Sequence, residues 1–354
     1  MKKILGLSLY GSIAASNRYR LGLYKKFLHE NGIELEIYGL FEDDYLAARF
    51  SKTGLPIRIV FKSIARRIIF LKTKIRLYDG CIIHAELIPL FPFGFENLLL
   101  KNIPFIYDFD DAFFLKYDSE RYRFFRWFLK NKFKAIIKKS IAVTAGNLYL
   151  QSFAKKYNYN SYLLPTVVDM TRYGVAEKIK KDISEEKIIG WIGSPSTTGY
   201  LKLIERPLQK LAKIINFKLR IVGGIAIEIK GVNYEIIPWT EETEVKLIQS
   251  FDVGVMPLPD DPWSRGKCAF KLIQCMACGI PVVGSRVGAN VDLLVDKFPD
   301  FLASTDDEWI YALYKILSND VEGSAIREHI QDNYSINKTA PIMLDIINNH
   351  LQIN

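Results

Sequence analysis

Short apolar runs alternate with amphipathic segments along most of the chain. The runs consist mainly of Ile, Leu, Val and aromatic residues, which is typical of strands buried on both faces of a parallel sheet. In the first half we predict strands at Ile4–Leu9, Leu35–Leu40, Cys81–Ala85, Pro104–Asp108, Ile141–Thr144 and Tyr162–Pro165. In the second half we predict strands at Ile188–Ile192, Leu219–Val222, Glu235–Ile237, Asp252–Met256 and Pro281–Val283.

Segments with apolar residues three and four positions apart separate these runs. The pattern predicts a helix that Asn17 caps and that runs to His29, and another at Cys268–Cys278, which Gly279 ends. A last helix is expected at about Thr339–His350. The regular alternation of strand and helix predicts an α/β fold, in which helices cover both faces of parallel sheets.

A charged stretch with few apolar residues divides the chain into two series of strands and helices. A length of 354 residues suggests about two domains. We expect a Rossmann-like domain at residues 1–168, a linker at 169–187, a second Rossmann-like domain at 188–335, and a C-terminal helix at 336–354 that packs back on the first domain. Two doubly wound domains would face each other across a cleft and bind ligands at the carboxyl ends of their strands.

The net charge of +9 is concentrated in the first half. Residues 57–78 hold seven Lys or Arg and no acidic residue, and residues 119–140 hold eight against a single acid, Glu120. This local excess of positive charge favours either a nucleic acid or an anionic membrane as a partner. Since no nucleic-acid recognition motif accompanies these stretches, we expect no nucleic acid.

Residues 119–140 predict an amphipathic helix that can lie on an anionic membrane surface. The helix would carry apolar side chains on one side and lysines on another: Phe125, Phe128 and Leu129 against Lys130, Lys134 and Lys138. The alternative is a core helix with a solvated basic face. We therefore expect a cytoplasmic protein that associates peripherally with the inner face of the membrane.

Apolar runs and cysteines argue against other classes of protein. No run approaches the roughly 20 residues that span a bilayer. Residues 1–9 fit a first buried strand better than a signal peptide, because their apolar run is short. Cys275 and Cys278 lie within one predicted helix without a second pair or a nearby His, which favours packed small residues over a zinc site.

The most informative segment is residues 252–283. A strand, a loop, a helix and a second strand follow one another, and Arg265, Lys267 and Lys271 lie in the loop and the first helical turn. Backbone N–H groups at the start of a helix attract anions, and three cations there suit a diphosphate better than a single phosphate.

This segment resembles the donor-binding core of glycosyltransferase family 4, a retaining group with the GT-B fold. Residues 274–283, QCMACGIPVV, are similar to its E-A-M-A-C-G-x-P-V-V motif, and residues 265–274 to the R-G-K-C-x-[FY]-K-L-x-Q variant of one subgroup. The resemblance implies that Cys268 and Ala269 also contact the donor. The family's acidic pair would fall at Gly266 and Gln274, and Gln274 can still hydrogen-bond ribose hydroxyls.

Three turns of the second half resemble further donor-binding segments of the family. Gly193 and Ser194 open a hydroxyl-rich turn that can present N–H groups and hydroxyls to a phosphate, the alternative being a helix N-cap without a ligand. Gly223 belongs to a strand-end glycine turn. Trp239 stands where the family contacts the nucleobase, and it either stacks on the base or fills the core.

In the first half, residues 108–112 read D-F-D-D-A and resemble a segment of the same subgroup. The resemblance aligns Asp110 with a histidine of the family, and we expect Asp110 to orient the sugar or to take the proton of the acceptor hydroxyl. The alternatives are an N-cap and a D-x-D magnesium site with Asp108. Because GT-B enzymes generally need no metal, we expect neither metal nor cofactor.

Residues of the first half would also complete the acceptor side. Gly11 forms a glycine turn after the first strand, and Arg18 and Arg20 are expected to help close the acceptor side. Glu86 is predicted to be a carboxylate at the rim of the sheet. His84 lies within an apolar strand and is predicted to be a core histidine with its hydrogen bonds satisfied.

Together these features predict a retaining, hexosyltransferase-like glycosyltransferase. It would move a sugar from a nucleotide-diphosphate sugar to a glycan or a lipid-linked acceptor. Arg265, Lys267 and Lys271 would stabilise the departing diphosphate, and Asp110 would act on the acceptor. The missing acidic pair motivates the alternative, a degenerate, non-catalytic GT-B subunit that binds a membrane or a polyanion.

Overall fold

Two parallel sheets of six strands each form the framework of the protein, which is described here from a computed structural model. The structure describes residues 1–42, 45, 57–175, 185–319 and 321–351. The chain divides into an N-terminal unit, Met1–Thr166 with Thr339–Asn354, and a C-terminal unit, Val167–Lys338. Residues 176–184 of the predicted linker lie outside the described residues.

The sheet of the N-terminal unit has the strand order β2-β1-β3-β4-β5-β6. Its strands are β1 Lys2–Tyr10, β2 Ile33–Phe41, β3 Gly80–His84, β4 Phe105–Phe109, β5 Ala142–Ala145 and β6 Ser161–Leu163. All neighbours pair in parallel, and Ile4–Leu9 are buried without interruption, as expected for a strand covered on both faces. The strand order reverses between β1 and β3.

The sheet of the C-terminal unit has the order β12-β11-β10-β7-β8-β9 and is also parallel throughout. Its strands are β7 Lys187–Ile192, β8 Phe217–Val222, β9 Tyr234–Ile237, β10 Val253–Met256, β11 Val282–Ser285 and β12 Leu302–Ala303. Here the order reverses between β7 and β10. The predicted strands are confirmed, whereas β12, with two residues, was too short to be predicted.

Helices connect the strands in both units. In the N-terminal unit they are Ala15–Arg20, Lys25–Glu30, Ile57–Lys74, Phe93–Leu100, Arg126–Leu129, Lys132–Lys139 and Leu148–Lys155. In the C-terminal unit they are Glu205–Leu211, Glu244–Gln249, Pro262–Arg265, Phe270–Ala277, Ala289–Leu294, Asp306–Ser318 and Gly323–Asn333. The helix Ile336–His350 continues into the N-terminal unit, where Tyr24 Oη donates to Thr339 Oγ1 at 3.1 Å. None of the helices in the described ranges has the length and apolar character that a membrane span requires.

Two helices predicted in the N-terminal unit differ from the helices of the structure. Asn17 does not cap the first helix, because it lies inside Ala15–Arg20 and its side-chain amide donates to Ser8 Oγ (3.1 Å) and Tyr10 O (2.8 Å). The helical path then breaks into a 3₁₀ turn before Lys25–Glu30. Residues 119–140 form no single helix either, and their separate turns and helices include a buried Lys132.

Candidate functional site

The carboxyl ends of β7 and β10 meet where the strand order of the C-terminal unit reverses. In open α/β sheets this is the position at which ligands bind. A pocket of about 40 Å³ lies there. It is lined by Trp191, Thr197, Tyr200, Met256, Pro257, Leu258, Lys267 and Lys271. Thus two of the three predicted cations share one pocket with the end of β7 and with Thr197 of the predicted hydroxyl-rich turn, whereas Tyr200 was not predicted.

Lys271 lies over a tryptophan at the floor of this pocket. It is the second residue of the helix Phe270–Ala277, and its Nζ is 5.3 Å from the centroid of the buried Trp191 ring. A Cβ on Gly193 would come within 2.6 Å of Lys271 Cε and 2.8 Å of the Trp191 ring. Glycine at this position therefore lets the lysine and the tryptophan pack against the end of β7.

The helix that carries Lys271 begins two residues later than predicted. Ala269 has a φ of 53°, in the left-handed region, so the chain is not helical there and Cys268 remains in the loop. Ala269 is buried, and Cys268 Sγ is 3.9 Å from Gly266 O. Lys271 consequently lies closer to the helix start than predicted, within the turn whose backbone N–H groups have no helical acceptor.

Arg265 and Lys267 differ in their surroundings. The Arg265 guanidinium forms an ion pair with Asp260, with Nε 2.6 Å from Oδ1, and both side chains are about half exposed. Lys267 Nζ lies 5.4 Å from the centroid of Trp263. Asp261 accepts from Ser264 N at 2.7 Å and caps the short helix Pro262–Arg265 that follows.

The turn after β7 leads into a 3₁₀ helix, Pro195–Ile204, with Ser194 at its N-cap position. Ser194 Oγ and Ser196 Oγ are 2.9 Å apart and both residues are exposed. Thr198 is buried instead, and its Oγ1 accepts from Ile225 N at 3.2 Å. Exposed hydroxyls are therefore available only in the first part of the predicted hydroxyl-rich turn.

Gly223 and Trp239 lie next to each other at the neighbouring strand ends. Gly223 has a φ of 73°, and a Cβ there would approach Gly193 O to 2.6 Å and Trp239 Cβ to 2.9 Å. Trp239 is partly buried, and its Nε1 donates to Glu244 Oε2 at 2.8 Å. The Glu244 carboxylate, which was not predicted as part of the site, thus fixes the orientation of the indole ring.

Gln274 is part of a buried hydrogen-bond network. The residue is buried, and Nε2 donates to Tyr173 Oη at 2.9 Å. Tyr173 Oη in turn donates to Glu244 Oε1 at 3.2 Å. The amide nitrogen thus belongs to a buried network that ends at Glu244, and the hydrogen bond from Gln274 to ribose hydroxyls stays a prediction.

In the N-terminal unit, Asp108 is the centre of a buried polar network at the end of β4. Arg20 binds it through Nε (3.1 Å to Oδ2) and Nη2, Thr144 Oγ1 lies 2.5 Å from Oδ1, and His84 Nδ1 lies 2.8 Å from Oδ2. Arg20 is fully buried, so its predicted role at the acceptor side is wrong. A carboxylate with four hydrogen bonds inside the core is not directed toward a metal.

Asp110 directly follows the carboxyl end of β4 and lies next to His84. Its Oδ1 is 3.7 Å from His84 Nε2, and its side chain is about one-fifth exposed. Burial alone would lower the pKa of His84, but the hydrogen bond to Asp108 and the charge of Asp110 raise it overall. Burial alone would raise the pKa of Asp108, but Arg20 and His84 hold it well below its usual range. His84 is thus a buried histidine with satisfied partners, as predicted, that also faces Asp110.

Two other predicted residues of this unit, Glu86 and Gly11, form hydrogen bonds within the protein itself. Glu86 is completely buried rather than at the rim, because its carboxylate binds Lys132 Nζ (2.8 Å), Lys116 Nζ and Tyr117 Oη. Gly11 starts a turn in which Ala14 N donates to Gly11 O at 3.3 Å.

Arg18 and the cysteines complete the list of predicted residues. The Arg18 guanidinium lies over the Tyr19 ring, with Cζ 5.2 Å from the centroid. All four cysteines are free thiols, and burial raises the pKa of Cys278 to about 12. In the described part of the chain no group of three or more His, Cys, Asp or Glu side chains is arranged to hold a metal ion.

Comparison with known proteins gives one family match and several similar folds. Residues 186–319 match the family model described as "Glycosyl transferases group 1". No curated protein matched the chain. Solved structures with similar folds include a glycosyltransferase from Rickettsia africae (TM-score 0.64, 15% identity, all of both chains covered). The catalytic domain of starch synthase IV from Arabidopsis thaliana, bound to ADP and acarbose, has a TM-score of 0.65 and 10% identity over 99% of each chain.

A third similar structure is HepE from Anabaena in complex with UDP and glucose, with a TM-score of 0.58 and 14% identity. The match covers 98% of this chain and 95% of that chain. Identities this low establish the fold alone. The chain has the GT-B fold of two α/β units, and the group 1 match in its C-terminal unit supports a glycosyltransferase.

Proposed function

We propose that the protein is a retaining, hexosyltransferase-like glycosyltransferase that uses a nucleotide-diphosphate sugar. One observation carries the proposal: Lys267 and Lys271 line one pocket at the strand-order reversal of the C-terminal unit, beside Gly193. This is where an open α/β sheet binds its ligand, and two ammonium groups there suit the diphosphate of the donor. Two of the similar structures, HepE and starch synthase IV, were solved with UDP and with ADP bound to those proteins.

The C-terminal unit would hold the donor through groups of different chemistry. Lys271, Lys267 and the exposed turn at Ser194 would bind the diphosphate, and Arg265 would join them by leaving its exposed pair with Asp260. Exposed ion pairs of this kind contribute at most about 1 kcal/mol, so the exchange is inexpensive. Stacking of the nucleobase on Trp239, whose orientation Glu244 fixes, completes the proposed donor site.

In the reaction, the bond between the anomeric carbon and the diphosphate oxygen breaks and the electron pair leaves with the diphosphate. The acceptor hydroxyl oxygen forms the new bond on the same face of the sugar, and its proton is released. We assign Asp110 the role of orienting the sugar or accepting that proton. Lysine ammonium groups that stabilise the departing diphosphate would supply the main catalytic effect. The acceptor in this proposal is a glycan or a lipid-linked saccharide, and no metal is required.

Isothermal titration with UDP, ADP and GDP, and with the corresponding monophosphates, tests the donor site. We expect one diphosphate to bind at least about tenfold more tightly than its monophosphate, because the second phosphate adds contacts to the lysines. Incubation with the corresponding sugar nucleotides would then show turnover, and NMR of the product would show whether the anomeric configuration is retained.

The alternative is a non-catalytic GT-B subunit, and the family's acidic pair, replaced here by Gly266 and Gln274, favours it. Gln274 carries no negative charge, and its Nε2 donates to Tyr173 Oη within the protein. A subunit of this kind would bind no nucleotide, or would bind one without turning over any sugar nucleotide. Either result would refute the proposed transferase activity.

A further inference from the structure

Residues 121–130 form a surface loop of unusual composition, which we name the aromatic loop. Arg121–Lys130 contains four cations and five aromatic rings and no acidic residue. The structure replaces the predicted amphipathic helix with two short elements, a 3₁₀ turn at Glu120–Tyr122 and a helix at Arg126–Leu129. The apolar and basic side chains of these residues therefore do not lie on opposite sides of one helix.

Two large aromatic side chains of the aromatic loop point into solvent. Trp127 is 79% exposed and Phe124 is 73% exposed, whereas Leu129 at the end of the loop is fully buried. Tyr122 packs edge-on against the buried Tyr117, with ring centroids 5.1 Å apart. Residues at both ends thus anchor the loop in the core, and the rings between them remain outside.

Backbone hydrogen bonds hold the aromatic loop in this shape. Phe125 N donates to Tyr122 O at 2.8 Å, and Leu129 N donates to Phe125 O at 3.0 Å. Phe128 contacts the rings of Phe125 and Trp127, with centroids 5.9 and 5.1 Å away. Because these bonds fix the backbone of the loop, inserting its exposed rings into a partner costs little backbone conformational entropy.

Cations surround the exposed rings. The Arg123 guanidinium lies 4.6 Å from the centroid of Phe124, and Arg121 and Lys130 are exposed on either side. Amphipathic aromatic rings beside basic residues are typical of protein segments at a membrane interface.

Another element of the same unit has similar chemistry. The helix Ile57–Lys74 exposes Phe61 and Ile69 together with Arg58 and Lys62. This helix and Lys132–Lys139, which directly follows the aromatic loop, both pack against Phe93–Leu100. Exposed aliphatic side chains such as Ile69 favour a hydrocarbon boundary over the stacked bases of a nucleic acid.

We infer that the aromatic loop docks the N-terminal unit on an anionic lipid bilayer, with Phe124 and Trp127 inserted at the interface and Arg121 and Arg123 facing lipid phosphates. This inference does not rest on the proposed sugar transfer, because vesicle binding is measured without a donor. Failure of one leaves the other intact.

Co-sedimentation with phosphatidylcholine vesicles, with and without phosphatidylglycerol, tests the inference. We expect binding to the anionic vesicles at low salt, and each cation of the aromatic loop that is removed should weaken it about fivefold. The double variant Phe124→Ala/Trp127→Ala should bind at least about tenfold more weakly, since the apolar part of the contact is lost. Vesicles containing brominated lipids should quench the fluorescence of the protein, and Trp127→Phe should remove that quenching.

Matched variants control for general effects of exposure and charge. Tyr159 is 95% exposed in the same unit, so Tyr159→Ala should bind vesicles normally. Lys25→Gln/Lys26→Gln removes two exposed cations elsewhere in the unit and serves as control for Arg121→Gln/Arg123→Gln. Thermal unfolding at an unchanged temperature shows that each variant is folded.

Three results would overturn the inference. The first is no binding of the wild-type protein to anionic vesicles at low salt. The second is full binding by the folded Phe124→Ala/Trp127→Ala variant. The third is binding to single-stranded RNA that the same variants abolish while vesicles are not bound, which would assign the surface to a nucleic acid instead.

Discussion

Replacing Lys271 by alanine should lower kcat/KM for the sugar nucleotide by about 150-fold and leave the fold intact. At about 4 Å and an effective dielectric constant of about 20, an ammonium group attracts one phosphate charge by about 4 kcal/mol. The much larger attraction at a dielectric constant of about 4, which describes a dry protein interior, does not apply, because Lys271 is only partly buried.

A second contribution reduces this figure. In the free protein the ammonium group lies 5.3 Å from the centroid of Trp191, an interaction of up to about 1 kcal/mol that weakens when the lysine turns to the phosphate. The net loss in the variant is then about 3 kcal/mol, which corresponds to about 150-fold in rate. Removing the same cation–π contact should cost no more than about 1 kcal/mol of stability.

The assay compares initial rates of donor turnover and titration with the matching nucleoside diphosphate. Lys202→Ala is the matched control, because Lys202 is the next cation after the turn at Ser194 but its Nζ donates to Glu205 (3.1 Å) and to Glu228 O. If Lys271→Ala lowers kcat/KM less than about fivefold, or if Lys202→Ala lowers it equally, the assignment of the diphosphate site is wrong.

Three further predictions concern both units. Gly193→Ala should weaken nucleoside-diphosphate binding measured by titration, because the added Cβ would lie 2.6 Å from Lys271 Cε and push the lysine side chain away. A Cβ on Gly199 would have no atom within 4 Å, so Gly199→Ala should bind the nucleotide normally. Equal affinities of the two variants would contradict this prediction. Asp110→Asn should lower kcat more than donor affinity, and activity should survive excess EDTA; lost affinity at unchanged kcat, or rescue by Mg²⁺, would contradict the proposed role. In NMR titrations the pKa of His84 should lie above about 6.5 and should fall in Asp110→Asn. The stabilising effect of protonated His84 is therefore complete below about pH 6.5 and is lost as the pH rises through the folded-state pKa. An unchanged pKa in Asp110→Asn would refute the coupling between His84 and Asp110.

Features that depend on neighbouring residues in the sequence could be predicted, whereas features that depend on distant residues could not. Runs such as Ile188–Ile192 are apolar throughout, so burial on both faces and parallel pairing follow from local sequence. The interruption at Ala269 could not be predicted, because the left-handed conformation of an alanine is imposed by its buried surroundings rather than by its propensity.

The polar networks were the least predictable part of the site. Arg20 and Asp108 are 88 positions apart, and only the folded sheet shows that each neutralises the other. The sequence places Glu86 correctly just after β3, but not the lysine, Lys132, that draws its carboxylate into the core. Charged residues at strand ends can therefore be located from sequence, whereas their exposure depends on distant partners.

Position relative to the pocket ranks the proposed diphosphate ligands. Arg265 forms an ion pair with Asp260, so part of its field is cancelled before any ligand arrives. Lys271 and Lys267 lie over tryptophan rings, which attract a cation through a quadrupole but carry no net charge. Both lysines also line the pocket at the strand-order reversal, whereas Arg265 is not among its lining residues. Since stabilisation of a leaving group depends on charge already fixed in place, Lys271 and Lys267 should contribute more to catalysis than Arg265.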